Sequence, residues 1–330
     1  MSKAIITIIG LGKTGSSIGL ALKKPELDYQ VIGHDKDRLV ANKAKELGAV
    51  DSISWNLLSA CEGADVVILA IPFDQVEEAL QAIGPELRPN CVVVDTSFLK
   101  QPAIAWAEAH LGKDVHFVGI FLGTNPQHAL DTTKGPAGAR ADLFANSPCS
   151  LMPSPNCRPE AVKAAQDLAA LLGATPHFMD PAEFDGLSTA VNLLPGLMAG
   201  ALMRPVSDTS SWREMRRLTS GALALFSSPL ESGGSSLAQA TVQNKETVLH
   251  WLDIILEELR AVREQVNEGQ WDVLTNQLEA TIQARDSWMN DWQRNRWEKV
   301  ATTEMPTMGS FFGQLLGFGG RRRTDRSEEQ

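Results

Sequence analysis

Six residues near the amino end, Gly10-Leu11-Gly12-Lys13-Thr14-Gly15, have the glycine spacing that lets a backbone wrap around a phosphate. The preceding run, Ala4 to Gly10, is rich in β-branched residues and predicts a strand buried on both faces. SSIGLALKK then predicts a helix with Ile18 and Leu22 on its inner side, and QVIGHD a second strand ending at Asp35. In this setting Gly10 permits the tight turn, Gly12 lets the backbone approach a pyrophosphate, and Gly15 allows close helix–strand packing. Lys13 and Thr14 complete the loop and open the helix, whose amides face the phosphate charge. Asp35 can hydrogen-bond a ribose diol and would repel a 2′-phosphate, so NAD is preferred. Lys36 and Arg38 leave NADP open. The competing reading is a purely structural glycine turn.

A second cluster lies further on. ADVVILAIP, Ala64 to Pro72, predicts a buried strand, FDQVEEALQAIGPEL a helix, CVVVDTSFLK another strand and HFVGIFLG a further one. Asp95, Thr96, Ser97 and Lys100 therefore fall beyond the carboxyl end of a strand, where open α/β sheets bind ligands. Their competing reading is turn capping by Thr96 and Ser97 beside a surface lysine. His128, in NPQHAL, reaches the same cleft if its loop folds back, and otherwise faces solvent.

These residues need a scaffold of adequate size. The 330 residues are 43% hydrophobic, enough for two cores. Forty acidic against thirty basic residues give a formal charge of −10 with no broad basic tract, which argues against nucleic-acid binding. No clean apolar span predicts a membrane segment, and MSKAIITIIG runs directly into the first strand without a signal peptide. Cys61, Cys91, Cys149 and Cys157 form no CxxC pair, and no His/Cys/carboxylate spacing predicts a metal site, so a reduced, cytoplasmic protein is expected. SPCSLMPSPNCRP, from Ser147, resembles a linker, yet EAVKAAQDLAALLG and ATPHFMD continue the helix–strand alternation after it. Beyond Asp180 the strand signal fades. Val248, Leu252, Ile255, Leu259 and Val262 form a helical stripe, ESGGSSLA reads as a flexible interruption, and Trp288 and Trp292 lie on one apolar face. The expected fold is α/β, with a Rossmann-type nucleotide-binding domain over residues 1–180. An all-helical substrate and dimerisation domain follows over 181–312, with a flexible tail over 313–330. Long apolar stripes predict a homodimer.

The ordered motifs ITIIGLGKTGSSIGLAL, VIGHDKD, AIPFDQVEEAL, VVDTSFLK, GARADLF, DPAEFDGLSTAVNLLPGLMAGAL, NKETVL and ARDSW resemble the prephenate/arogenate dehydrogenase family over residues 4 to 300. That resemblance implies a dehydrogenase that uses NAD or NADP to oxidise a ring-hydroxylated cyclohexadienyl acid. It implies that Gly10, Gly12, Gly15 and Asp35 hold the cofactor, with Pro72 and Thr96 along its path toward the nicotinamide. Ser97 would hydrogen-bond the substrate hydroxyl, Asn192 would line the substrate site, and one of Arg213, Arg216 and Arg217, with Arg217 chosen, would bind a carboxylate. Where the resemblance implies histidines, this chain has Ile120, Phe184, Leu193 and Gly196. His128 or Asp185 would then have to manage the hydroxyl proton, although Asp185 is equally natural as a carboxylate at a helix N-terminus.

The departures point to a divergent small-acid substrate for an NAD(P)-dependent oxidoreductase. Conventional prephenate or arogenate oxidation, a related imine or hydroxy-acid reductase and an inactive nucleotide-binding dimer are the competing readings.

Overall fold

A computed structural model describes residues 3–23 and 29–296. The chain alternates through β1 (Ala4–Ile9), α1 (Lys13–Leu22), β2 (Tyr29–His34), α2 (Arg38–Glu46), β3 (Ser52–Ile53) and α3 (Leu57–Cys61). It continues with β4 (Val66–Leu69), α4 (Val76–Ile83), β5 (Val92–Asp95), α5 (Gln101–His110) and β6 (His116–Leu122). After a long connection come β7 (Pro148–Pro153), α6 (Pro159–Leu171) and β8 (Thr175–Phe178). One eight-stranded sheet results, in the order β3-β2-β1-β4-β5-β6-β7-β8. Strands β1 to β6 run parallel, β7 is antiparallel to β6, and β8 is parallel to β7. The strand order reverses direction between β1 and β4. A doubly wound sheet opens its ligand crevice at such a point.

The central strands carry apolar side chains on both faces, and their period of two divides the interior. Ile6, Ile8, Val66, Ile68, Val92 and Val94 enter one core, whereas Ile9, Val67, Leu69 and Val93 enter the other. Thr7, buried in β1, satisfies its hydroxyl by donating to the Ala60 carbonyl at 2.6 Å. Burial pushes the thiols of Cys61, Cys91 and Cys149 up to about 12, so these are packing groups with little thiolate.

Two strands escaped the sequence reading. The two-residue β3 is too short to show a period. The linker-like stretch contains β7, whose residues 149–152 are buried although proline stands at both of its ends. An antiparallel partner and a sheet near its edge tolerate those prolines, which remove donors only at the strand termini.

After β8 all described regular structure is helical: α7 (Pro181–Ser188), α8 (Leu194–Ser207), α9 (Trp212–Met215), α10 (Gly221–Ser227), α11 (Gly234–Gln243), α12 (Lys245–Asn267) and α13 (Trp271–Gln293). A π turn over Thr189–Leu193 joins α7 to α8, closed by the Leu194 N–H donating to the Thr189 carbonyl. Pro195 is its physical cause, since its ring crowds the carbonyl four residues earlier and supplies no N–H. The expected flexible interruption is instead the start of α11. Tertiary contacts hold it: Ser236 Oγ accepts from the Phe73 N–H at 3.0 Å, and Leu237 packs over Gly196. One described helical run, Pro181–Ser207, is long and apolar enough in composition to cross a membrane, with 33% of its most apolar window buried. The expected tail over 313–330 lies outside the described residues.

Candidate active site

The glycine loop sits at the β1/β4 crevice, and each glycine does something different there. Gly10 has φ +88°, and a Cβ would meet the Ala70 carbonyl oxygen at 2.3 Å. A Cβ on Gly15 would lie 1.9 Å from the Gly10 carbonyl oxygen, so α1 can approach β1 only without a side chain. At Gly12 a Cβ would meet nothing within 4 Å, because it opens into empty space. No side chain caps α1. Its first amides remain free for an anion. The space at Gly12 and the uncapped helix fit a dinucleotide's pyrophosphate.

Asp35 ends β2 beside this loop. Its carboxylate accepts from the Leu11 N–H at 2.8 Å and from the Asp37 N–H at 2.8 Å, which fixes its orientation. Asp35 lines a cleft of about 660 Å³ together with Gly10, Gly12, Pro72 and Ala79. The neighbouring cations are occupied: Lys36 donates to Gln75 Oε1 at 3.1 Å, and the Arg38 guanidinium lies 5.3 Å over the Trp55 ring.

A second cavity, of about 300 Å³, opens on the other side of the α1 N-terminus. Lys13, Thr14, Thr96, Ser97, His128 and Asn192 all line it, although they come from four separate stretches of chain. The Thr96 hydroxyl donates to the Leu69 carbonyl at 3.0 Å and binds the end of β5 to the end of β4. Lys13 Nζ donates to the Asp131 carbonyl and holds the long β6–β7 connection against α1. Asn192 projects from the π turn and donates to Ser188 Oγ at 3.0 Å. Phe98, Phe121, Leu122, Leu143 and Phe144 make the remaining wall largely apolar.

His128 reaches this cavity because its loop is cross-tied. Asn125 Oδ1 accepts from the Gln127 N–H at 3.1 Å, and its Nδ2 donates to the Asp142 carbonyl at 3.1 Å. The Asp142 carboxylate lies 2.9 Å from His128 Nε2. A carboxylate only accepts, so Nε2 carries the proton and Nδ1 of the neutral ring is the acceptor. Sequence reasoning found the histidine and missed its partner, which is fourteen residues away in a segment without periodicity.

Behind Ser97 lies a buried ion pair. Lys100 Nζ and Asp95 Oδ2 are 2.9 Å apart, and neither side chain has any exposure. Lys100 is therefore not the surface residue that a strand-end reading allows. Removing water from both charges is costly, and three hydrogen bonds from the ammonium offset that cost.

Residues 18–177 match the prephenate dehydrogenase nucleotide-binding domain family. The chain is 26% identical over 288 residues to a prephenate dehydrogenase of Bacillus subtilis, covering 86% of this chain and 76% of that protein. It is 25% identical over 284 residues to a cyclohexadienyl dehydrogenase of Zymomonas mobilis, covering 85% and 94%. The chain is prephenate-dehydrogenase-like. Its fold agrees with prephenate dehydrogenase from A. aeolicus in complex with hydroxyphenyl propionate and NAD+, with TM-score 0.72 at 21% identity over 87% of this chain and 99% of that one. The Synechocystis arogenate dehydrogenase structure gives TM-score 0.63 at 22% identity over 86% and 99%.

Two expected site residues of this prephenate-dehydrogenase-like chain stand elsewhere. Asp185 is buried, and its two carboxylate oxygens accept from the Lys100 N–H at 2.6 Å and the Gln101 N–H at 2.9 Å. Burial pushes its carboxyl above the usual range while those bonds and Lys100 pull it back. It caps α5 and fastens α7 to the β5–α5 junction, and it does not line the cavity. Arg217 is exposed in the turn after α9 and does not line the cavity, because the chain leaves the site along α8 before reaching it. Asn244, which precedes α12, donates to Thr189 Oγ1 at 2.7 Å and to the Asp185 carbonyl at 3.1 Å, bracing the π turn. Ile120 and Leu193 are buried core residues, and Gly196 gives Leu237 the room that a side chain would occupy.

Proposed function

We propose that this protein is an NAD-dependent oxidoreductase that oxidises a hydroxyl-bearing carbon of a small, largely apolar carboxylic acid. One observation carries the reading: Ser97, His128 and Asn192 share a cavity with Lys13 and Thr14, the residues that open α1 directly after the glycine loop. When bound, the nicotinamide accepts a hydride from carbon. Ser97 orients the substrate hydroxyl, and His128 Nδ1 takes its proton while Asp142 holds the ring.

The Asp35 carboxylate in the cleft, oriented by the Leu11 and Asp37 amides, supports NAD over NADP, and Lys36 in the same cleft is the group through which a 2′-phosphate would be tolerated. Among the cavity's lining residues Lys13 is the only permanent cation, and the Asp131 carboxylate lines the cavity beside it. That balance suits one carboxylate better than two, and favours a substrate less charged than the dicarboxylate prephenate.

We assign the active form as a cytoplasmic homodimer that uses neither membrane nor nucleic acid. Helices α12 and α13 each span 23 residues, yet among the described residues they bury Val248 alone. Leu249, Ile254, Leu256, Ile282 and Trp288 are exposed. A second copy would cover them, and would cover the apolar outer side of Pro181–Ser207 as well.

Reduced-nucleotide formation should be followed with prephenate, arogenate and related hydroxylated monoacids. Turnover of a monoacid with NAD+ at least tenfold better than with NADP+ is the expected result. Dinucleotide binding without turnover across the set would instead make the chain a non-enzymatic nucleotide binder, and efficient prephenate oxidation would overturn the divergent substrate.

A further inference from the structure

The surroundings of Ser97 fix which way its single proton points. Ser97 Oγ lies 2.7 Å from Asp95 Oδ2, and the Ser97 N–H donates to Asp95 Oδ1 at 3.1 Å. Lys100 Nζ has three protons and three acceptors: Asp95 Oδ2 at 2.9 Å, the Asp95 carbonyl at 3.1 Å and the Ser97 carbonyl at 2.7 Å. None is left for Ser97 Oγ. The other neighbour of that oxygen, the Leu99 carbonyl at 3.5 Å, also only accepts. Every protein group around the hydroxyl thus calls for its proton. The nearest, the carboxylate, holds it away from the cavity that Ser97 lines.

We infer that Asp95 and Lys100 lock Ser97 as a hydrogen-bond acceptor toward the cavity, so that the site selects an alcohol over the corresponding ketone. The inference rests on the reading of this cavity as the substrate site. An alcohol donates its O–H to the Ser97 lone pair, whereas a ketone brings only another acceptor and faces a repelling one. Binding therefore favours the reduced partner. The substrate has one hydroxyl proton, so it turns from Ser97 Oγ to His128 Nδ1 before transfer, and the hydrogen bond to Ser97 holds the bound alcohol rather than the reacting one. Asp95 and Lys100 touch no substrate. They act as positioning residues through Ser97.

The test uses trans-3-(4-hydroxycyclohexyl)propionate, 3-(4-oxocyclohexyl)propionate and 3-cyclohexylpropionate, titrated calorimetrically into the full chain with saturating ADP-ribose, which fills the dinucleotide cleft without reacting. The wild type should bind the alcohol about tenfold more tightly than the ketone. Ser97→Ala, which leaves the ion pair intact, should bind all three compounds within about twofold of one another. Ser97→Thr should restore the preference. The double substitution Asp95→Leu with Lys100→Met replaces the pair by apolar groups of similar size. It frees the Ser97 hydroxyl to rotate, so alcohol and ketone should both bind better than 3-cyclohexylpropionate, with no preference between them. A retained preference in Ser97→Ala, or none in the wild type, overturns the inference while leaving the cavity assignment standing. Failure of all three compounds to bind any variant would remove the substrate-site reading and this inference together.

Discussion

Gly12→Val should abolish dinucleotide binding without unfolding the chain, whereas Gly15→Val should destabilise the fold itself. A Cβ at Gly12 opens into empty space, so the folded state should accommodate a side chain there. That same empty space is where a pyrophosphate would approach the uncapped α1 N-terminus. A valine there stands in the ligand's place, and NAD+ affinity should fall by at least about a hundredfold, equivalent to about 2.7 kcal/mol. At Gly15 a Cβ would lie 1.9 Å from backbone oxygen, which no rotamer change relieves. Forcing β1 and α1 apart should cost about 1–3 kcal/mol or more in unfolding free energy. Paired measurements, NAD+ titration and urea denaturation, separate the outcomes. Equal loss of stability in both variants would show that the loop is only a structural turn.

The contrast between these glycines also shows what the sequence could reveal. A glycine pattern between a β-branched run and a helix is local information, and its geometry follows from the turn it must make. Ile6, Ile8, Val66 and Ile68 were legible for the same reason, since period two and apolarity determine which face is buried. The two prolines of β7 masked a strand whose pairing with β6 is fixed by the finished sheet. Site residues divide similarly. Ser97 and Thr96 could be placed because they follow a strand end, and strand ends converge in this architecture. Arg217 and Asp185 were misplaced because their positions depend on how α7 to α9 leave the sheet. The burial of Lys100 was invisible, because a lysine after a strand is ordinarily solvated and only the packed fold puts Asp95 beside it. Asp142 carried no signal of its own. Its importance arises from a loop closed by Asn125, and no spacing rule encodes that closure.

That loop makes His128 the position where chemistry should fail most sharply. His128→Ala should lower kcat by about 10²- to 10⁴-fold, the range expected when a positioned base is removed. NAD+ affinity should stay unchanged, because His128 lines the second cavity and not the dinucleotide cleft. Free imidazole added to the variant should recover part of the rate, since the deletion leaves a ring-sized space beside the substrate hydroxyl. Asp142→Asn tests the orientation separately. An asparagine can present its N–H₂ to Nε2, which favours the tautomer that puts the proton on Nδ1, the nitrogen that must accept. That change should lower kcat by about tenfold or more with little effect on KM, and imidazole should not repair it, because the wrong ring still occupies the site. Asp142 is exposed, so Asp142→Asn should disturb stability by no more than about 0.5 kcal/mol. Full turnover in His128→Ala would instead leave the hydroxyl proton to solvent. The Asp142–His128 contact would then be one more tie holding the loop across α1, beside the ones made by Lys13 and Asn125.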